Sequence, residues 1–269
     1  MVHNVWVPFT IAHGAAALPL RHFRLVFSGL LVGTFAPDFE YFLRLAPDDG
    51  FGHTLLGAFV LTLPLALLVL WLFHNFVKLP LARLLPDAIQ RRLTGHLEEF
   101  RFRGAGRFTL IIGSTLLGIA THLVWDSFTH SNTWLYHHWP ILSQSFHVPI
   151  VGTILLYKAL QHGSTIIGTG VLLIWLALRY RASELSCHAL SHSASPRCKI
   201  AIGAVFATVA LVGASIRAVA VVGIPSGHLA EKRFLGLLVV TAIALVWWQL
   251  VAYGVFTSRK FSSALGMSA

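Results

Sequence analysis

The distribution of charge along the chain constrains its fold more than any other feature of the sequence. Five long, mostly apolar stretches contain no Asp, Glu, Lys or Arg: Gly50 to Val77, Phe108 to Trp125, Ala159 to Leu178, Ile200 to Ile216 and Phe234 to Ser258. Roughly 20 apolar residues of helix cross a bilayer core, so each stretch is long enough or nearly so. A soluble core could not hold five of them. The sequence therefore predicts an all-α, polytopic transmembrane helical bundle.

Shorter segments complete this prediction. Two hydrophobic stretches, about 8–20 and 25–37, come first; the earlier one is short for a span and is expected to be tucked among other helices. Residues 81–103 mix apolar and basic side chains at helical spacing, which is typical of a helix lying on the inner leaflet. We predict six to seven membrane segments in a single domain over 1–269, with a candidate metal site in 1–162 and accessory spans in 163–269.

The basic residues indicate how the chain is oriented. The net charge is +10, but the basic residues lie between hydrophobic runs and not on one solvated face, so nucleic-acid binding is not expected. Lys and Arg in short loops mark the cytoplasmic side. With the loop between Val77 and Phe108 placed inside, inner segments hold 15 basic residues and outer segments 4. We therefore predict a multi-pass protein of the lipid bilayer with a cytoplasmic C-terminus.

A small group of ionisable residues falls near the outer ends of the predicted spans. Charged groups inside a membrane are costly, so each calls for a functional hypothesis. His122 and Asp126 are four residues apart and share one face of a helix, and a continued helix would add His130. Imidazole and carboxylate together are the ligands of hydrolytic zinc sites. The predicted metal ligands are His13, Asp38, His53, His122 and Asp126. His130, His137, His138 and His147 are interpreted as loop or interface residues, one of which a second metal could recruit.

The order of four motifs resembles a known family. The chain reads P-F-T-x-x-H-x-x-x-x-L-P-L from Pro8, G-T-F-A-P-D-F-E-Y from Gly33, G-H-T-L-L-G from Gly52 and H-L-V-W-D-S-F-T-H from His122. This order resembles a bacterial integral-membrane family related to the predicted membrane-bound metal-dependent hydrolases called YdjM-like. The resemblance covers about residues 8–140. It implies a metal-dependent hydrolase in the bacterial cytoplasmic (inner) membrane.

A more distant resemblance is to the zinc-dependent phospholipase C and single-strand nuclease group. It implies that His53, His122 and Asp126 hold a metal, that Asp126 bridges to a second ion near His13, and that Asp38 is a ligand or the catalytic general base. The chain lacks that group's later His-x-x-x-Glu pair, because Val and Leu stand four residues after His147 and His138. One or two divalent ions are therefore expected, with zinc as the expected metal.

Under this hypothesis, an outward-facing site at headgroup depth would cleave phosphodiester or lipid-like substrates. Two other classes of protein fit the same residues. A transporter or ion-binding protein would use the buried His and Asp to relay protons or bind ions, although its usual repeated halves are not visible. A non-catalytic metal-binding membrane protein would keep the ligands without turnover.

Overall fold

A computed structural model of the chain describes residues 10–47, 50–149, 152–186, 190 and 193–264. Within these ranges the helices are α1 (Ala17–Leu20), α2 (Phe27–Gly33), α3 (Phe39–Arg44), α4 (Leu55–Leu84), α5 (Asp87–Leu93), α6 (Ala105–Thr129), α7 (Trp134–His138), α8 (Leu156–Ala182), α9 (Pro196–Val222) and α10 (His228–Ala264). Short 3-10 helices cover Thr10–Ala16, Ala36–Asp38, Phe51–His53, Thr94–His96 and Pro140–Ser143. Pro8 and Phe9 of the first motif lie outside the described residues.

Five helices of the described chain are long and apolar enough to span a membrane: Leu55–Leu84, the region Ala105–His138, Leu156–Ala182, Pro196–Val222 and His228–Ser258. Each contains all or most of one of the five charge-free stretches, so the prediction of a helical membrane protein is confirmed. The predicted stretches at 8–20 and 25–37 form only short helical pieces, too short for a bilayer core at 1.5–2.0 Å per residue. The count of six to seven segments stays a prediction.

Two regions differ from the sequence prediction. The expected surface helix over 81–103 is divided: α4 continues to Leu84, α5 and a 3-10 turn follow, and residues 97–103 have no helix. The uncharged run from Ser127 to Tyr157 contains several histidines and prolines, and its sequence predicts an outer loop or re-entrant segment. In the structure, a small antiparallel hairpin lies between α7 and α8, with β1 (Ser145–Val148) paired with β2 (Gly152–Leu155). Hairpin pairing satisfies backbone groups that a loop would leave to water.

Close backbone contacts at glycines set the packing of the helices. In α2 and α6, a Cβ on Gly33 would lie 2.2 Å from the Thr115 carbonyl oxygen, and one on Gly118 would lie 2.2 Å from the Leu30 carbonyl oxygen. Small residues let membrane helices approach in this way. The two helices therefore cross at a distance that only glycine permits.

The C-terminal hairpin α9–α10 packs on the rest of the bundle through two polar backbone contacts. Pro80 in α4 has no N–H to donate to the Phe76 carbonyl four residues earlier, and Gly254 of α10 packs against that carbonyl, where a Cβ would lie 1.7 Å away. Arg217 of α9 donates to the carbonyl oxygens of Leu45 and Arg44, each at 3.3 Å. The Arg217 guanidinium thus satisfies backbone carbonyl groups at the C-terminus of α3.

Candidate metal centre

The five residues predicted as ligands converge at one end of the bundle, although they come from four separate segments. His122 and Asp126 lie on α6, and His13, Asp38 and His53 lie on three different 3-10 helices. Four of them are buried, with exposed fractions of 8% for His13, 1% for Asp38, 0% for His122 and 8% for Asp126. The side chain of His53 is 17% exposed. The sequence placed these residues at a common depth, and the structure places them in contact.

The α2–α6 crossing fixes the orientation of His122. This residue follows Gly118 by one helical turn, and Thr34 follows Gly33 directly, so the close contact of the two glycines brings the Thr34 carbonyl to the imidazole. The Nδ1 atom of His122 lies 2.8 Å from that oxygen. When Nδ1–H donates to a carbonyl, Nε2 carries the lone pair, which is the usual arrangement of a metal-binding histidine. The Nε2 atom points at the carboxylates.

Glu40 organises the turn that carries His53. Its Oε2 atom accepts a hydrogen bond of 2.7 Å from the Gly52 N–H, and its Oε1 atom accepts one of 2.7 Å from Arg44 Nε. Burial alone raises the pKa of this carboxyl, but the Gly52 N–H and the Arg44 guanidinium outweigh it and hold the pKa below its ordinary value. On the other side of the turn, Thr62 donates to the Gly52 carbonyl at 3.0 Å.

The turn then runs directly into α4. Thr54, next to His53, caps this helix by accepting a hydrogen bond of 2.9 Å from the Gly57 N–H. Gly57 must be small because a Cβ there would lie 1.7 Å from the Phe51 carbonyl. The second half of the G-H-T-L-L-G motif therefore anchors His53 at a capped helix N-terminus.

His13 reaches the cluster from the first 3-10 helix. Its ring stacks on that of His122 with centroids 4.0 Å apart. The segment rests on α8, where Gly168 leaves room for the Ala12 carbonyl, 2.8 Å from where a Cβ would be. A helix assigned to the accessory half by sequence is thus part of the support for this ligand.

The imidazole–carboxylate distances are compatible with a tetrahedral site. At bond lengths of 2.0–2.1 Å, two ligand atoms of a tetrahedral zinc ion lie about 3.4 Å apart. His122 Nε2 lies 3.0 Å from Asp126 Oδ2 and 3.8 Å from Asp38 Oδ1. His53 Nε2 lies 3.2 Å from Asp38 Oδ1 and 3.7 Å from Asp126 Oδ2, and His13 Nε2 lies 3.4 Å from Asp126 Oδ1. All five distances fall close to the expected value.

Several ring nitrogens of the cluster lie close to carboxylates but are not aligned with them for hydrogen bonding. In the described part of the chain, His122 Nε2 and both ring nitrogens of His53 are buried and make no hydrogen bond, despite their closeness to carboxylates. Buried polar atoms normally have a hydrogen-bond partner. A buried polar atom without one calls for an explanation, such as a bound ion. Two groups of residues could each hold a metal, His13 with His122 and Asp126, and Asp38 with His53 and His122. The donor set and its geometry fit a divalent cation.

A cavity of about 290 Å³ gives access to the cluster at the end of α6. It is lined by His53, Leu123, Asp126, Ser127, His130, Asn132, Thr133 and Trp134. Asp38 is not among these residues, and it is only 1% exposed. The geometry therefore suits Asp38 as a ligand better than as a base in contact with a substrate.

His130, interpreted from the sequence as a loop or interface residue, lies at the site. It follows the last residue of α6, and its Nδ1 atom is 3.4 Å from Asp126 Oδ1. Its Nε2 atom is 3.4 Å from the amide nitrogen of Gln161 in α8. The spacing of four residues from Asp126 was the available signal. His137, His138 and His147 are exposed and do not join the cluster.

Two supporting groups were not predicted. The Thr34 carbonyl carries no sequence signal because every residue has one. Glu40 is followed by Arg44 at the spacing of an ordinary surface ion pair, and only the fold shows that the carboxylate is buried and bonded to Gly52.

Comparison with known proteins gives a family for this chain. No curated protein and no solved structure matches it. The family described as Domain of unknown function (DUF4184) matches residues 7–255, which include all the cluster residues, four of the five long helices and most of α10. The match covers nearly the whole chain, and the protein therefore belongs to the DUF4184 family.

Proposed function

We propose that this protein is a membrane-embedded, metal-dependent hydrolase. The observation that carries the proposal is the convergence of three imidazoles and two carboxylates at ligand distances, with buried ring nitrogens that lack hydrogen bonds. The order of motifs that resembles the YdjM-like hydrolases supports the same assignment. A transporter has no comparable support, because the cluster is confined to one end of the bundle.

The ligands provide for one or two ions, and we propose zinc. The two candidate groups share His122, and Asp126 directs Oδ1 toward His13 and Oδ2 toward His53 and His122. A carboxylate with its two oxygens directed apart in this way is suited to bridging. Neutral imidazole and carboxylate are common zinc ligands.

The cavity determines which residues meet the substrate. A bound ion would lower the pKa of a water molecule and polarise an ester or phosphoryl oxygen. His130 lines the cavity beside Asp126. The Gln161 amide nitrogen can only donate to His130 Nε2, so the neutral ring carries its proton on Nδ1, the nitrogen that faces Asp126 Oδ1. We therefore assign His130 the role of positioning Asp126 and a substrate oxygen through that N–H. Asp38, for which the sequence left a choice between ligand and base, is assigned as a ligand.

The location supports a lipid-like or phosphodiester substrate. The cavity lies where α6 ends and α4 begins, at the level where the apolar spans stop. Trp134 at its rim is 69% exposed and Trp139 nearby is 51% exposed, as is typical of tryptophans at a membrane interface. By the distribution of basic residues this is the outer face of the bacterial cytoplasmic membrane.

Metal content of the full-length, detergent-purified protein tests the proposal. Wild type would be compared by elemental analysis with His122→Ala/Asp126→Ala and with the control His137→Ala/His147→Ala, whose residues are exposed and outside the cluster. We expect near-stoichiometric zinc in wild type and control, and loss in the cluster variant. The Asp126→Asn variant is measured in the same way, and its melting curve shows whether a loss of metal is caused by misfolding. Wild type without bound metal would contradict the proposal.

Turnover is tested on phosphodiester and phospholipid substrates. His130→Ala should retain the metal and slow hydrolysis, because the Nδ1–H donor beside Asp126 is lost, whereas Asp38→Asn should lose both metal and hydrolysis. Metal without hydrolysis of any substrate in the wild type would instead identify a non-catalytic metal-binding protein.

A further inference from the structure

A second pocket lies at the opposite end of the bundle from the metal centre. Its volume is about 530 Å³, and α5, the 3-10 turn after it and the end of α8 form its walls. Along α8, Gln161 beside the metal centre and Arg179 at this pocket are separated by 18 residues, or about 27 Å of helix. The lining residues are Arg91, Arg92, Thr94, Gly95, His96, Arg179, Ala182, Ser183, Glu184, Leu185 and Ser186.

The charge of this pocket is predominantly positive. Three guanidinium groups line it, against the single carboxylate of Glu184. Arg92 is used structurally: it donates to the carbonyl oxygens of Tyr180 and Ser183, each at 3.0 Å, and lies over the Tyr180 ring. It thereby satisfies the C-terminal carbonyls of α8, which would otherwise repel an anion.

Arg91 and Arg179 remain available. Both are exposed, and neither guanidinium has an ion pair or a hydrogen bond to any residue in the described ranges. The backbone around them is fixed, because the Ser186 N–H donates to the Arg91 carbonyl at 3.0 Å and closes the wall of the pocket. Two guanidinium groups on a defined wall can each form paired hydrogen bonds to phosphate oxygens.

We propose that this pocket binds the phosphate group of an anionic ligand at the membrane surface, held between Arg91 and Arg179. Its volume is within the range of small-molecule sites, roughly 300–1,000 Å³. It lies where α8 leaves the apolar region, on the side that the basic residues assign to the cytoplasm, where anionic lipid headgroups are found. A phospholipid headgroup and a soluble phosphate ester share the chemistry required.

The test uses full-length, delipidated protein and phosphatidic acid, with binding followed by native mass spectrometry. Arg91→Gln/Arg179→Gln removes the two free guanidinium groups. Arg101→Gln/Arg103→Gln is the matched control, since it removes the same charge from exposed residues outside the pocket. We expect affinity to fall about tenfold or more in the pocket variant and less than about twofold in the control.

Glycerol 3-phosphate distinguishes the two sources of phosphate. If it binds alone and displaces phosphatidic acid with the same sensitivity to the pocket variant, soluble esters are ligands; if it does neither, the ligand is the lipid. Equal weakening in both double variants, or unchanged affinity in the pocket variant, would overturn the proposal. Melting curves of both variants show that each is folded. None of these readouts depends on metal or on hydrolysis.

Discussion

Gly118→Ala is expected to weaken metal binding although residue 118 carries no ligand atom. The new Cβ would lie 2.2 Å from the Leu30 carbonyl oxygen and 2.9 Å from Gly33, and all these atoms belong to backbone that cannot rotate away. Ordinary contact begins at 3.4 Å, so α2 and α6 must separate by about 1 Å. That movement would lengthen the bond of 2.8 Å between His122 Nδ1 and the Thr34 carbonyl beyond hydrogen-bond range.

The size of the effect follows from the role of that bond. Loss of an outer partner of a metal-binding histidine typically costs about 10–100-fold in metal affinity. We therefore expect Gly118→Ala to bind zinc about 10–100-fold more weakly than wild type. Competition with a chromophoric chelator in detergent measures this directly. A fall in melting temperature should accompany it, because overpacking costs about 1–3 kcal/mol.

Gly113→Ala is the matched control. It lies on the same helix, and nothing comes within 4 Å of its added Cβ. It should bind zinc as wild type does. If Gly118→Ala and Gly113→Ala have equal zinc affinities, then the helix crossing does not position His122 and the reasoning is wrong.

Three further predictions concern the supports of the site. Glu40→Gln should weaken zinc binding about tenfold in the same chelator assay, because the turn carrying His53 loses its charged acceptor. The folded-state pKa of Glu40 is lowered from 4.5, so its contribution to stability is present above pH 4.5 and is lost as the pH falls through the lowered pKa. In melting curves recorded at acid pH, the Glu40→Gln variant should not show this loss of stability. Gly254→Ala should lower the melting temperature, because the new Cβ would collide with the backbone of α4. Its zinc affinity should stay within about twofold of wild type. A tenfold loss of affinity would show that the C-terminal hairpin shapes the site.

The long helices could be predicted from sequence because a bilayer allows few alternatives. Backbone groups must be paired internally in hydrocarbon, so a charge-free apolar run of sufficient length specifies a helix. The convergence of the site also followed from this, since Asp38, His53 and Asp126 each fall at the same end of a predicted segment. The predicted ends of the membrane spans are enough to estimate the depth of each residue in the bilayer.

The local geometry could not be predicted. Three of the five ligands lie on 3-10 helices, whose short runs leave no periodic pattern of hydrophobic residues. The burial of Glu40 and the position of His130 depend on contacts between segments far apart in sequence, with Gly52 and Gln161 respectively. Division of the 81–103 region likewise reflects tertiary contacts, such as the hydrogen bonds of Arg92 to the end of α8.

The order of the ligands along the chain has a consequence for biogenesis. All five proposed ligands precede residue 127. Gly168, which packs against the 3-10 helix that carries His13, follows in α8. During synthesis the complete ligand set is therefore made before α9 and α10 leave the ribosome. The Arg217 and Gly254 contacts can form only afterwards, when all the cluster residues have been synthesised. Capture of an ion by the nascent chain would thus stabilise the surface on which the last hairpin docks.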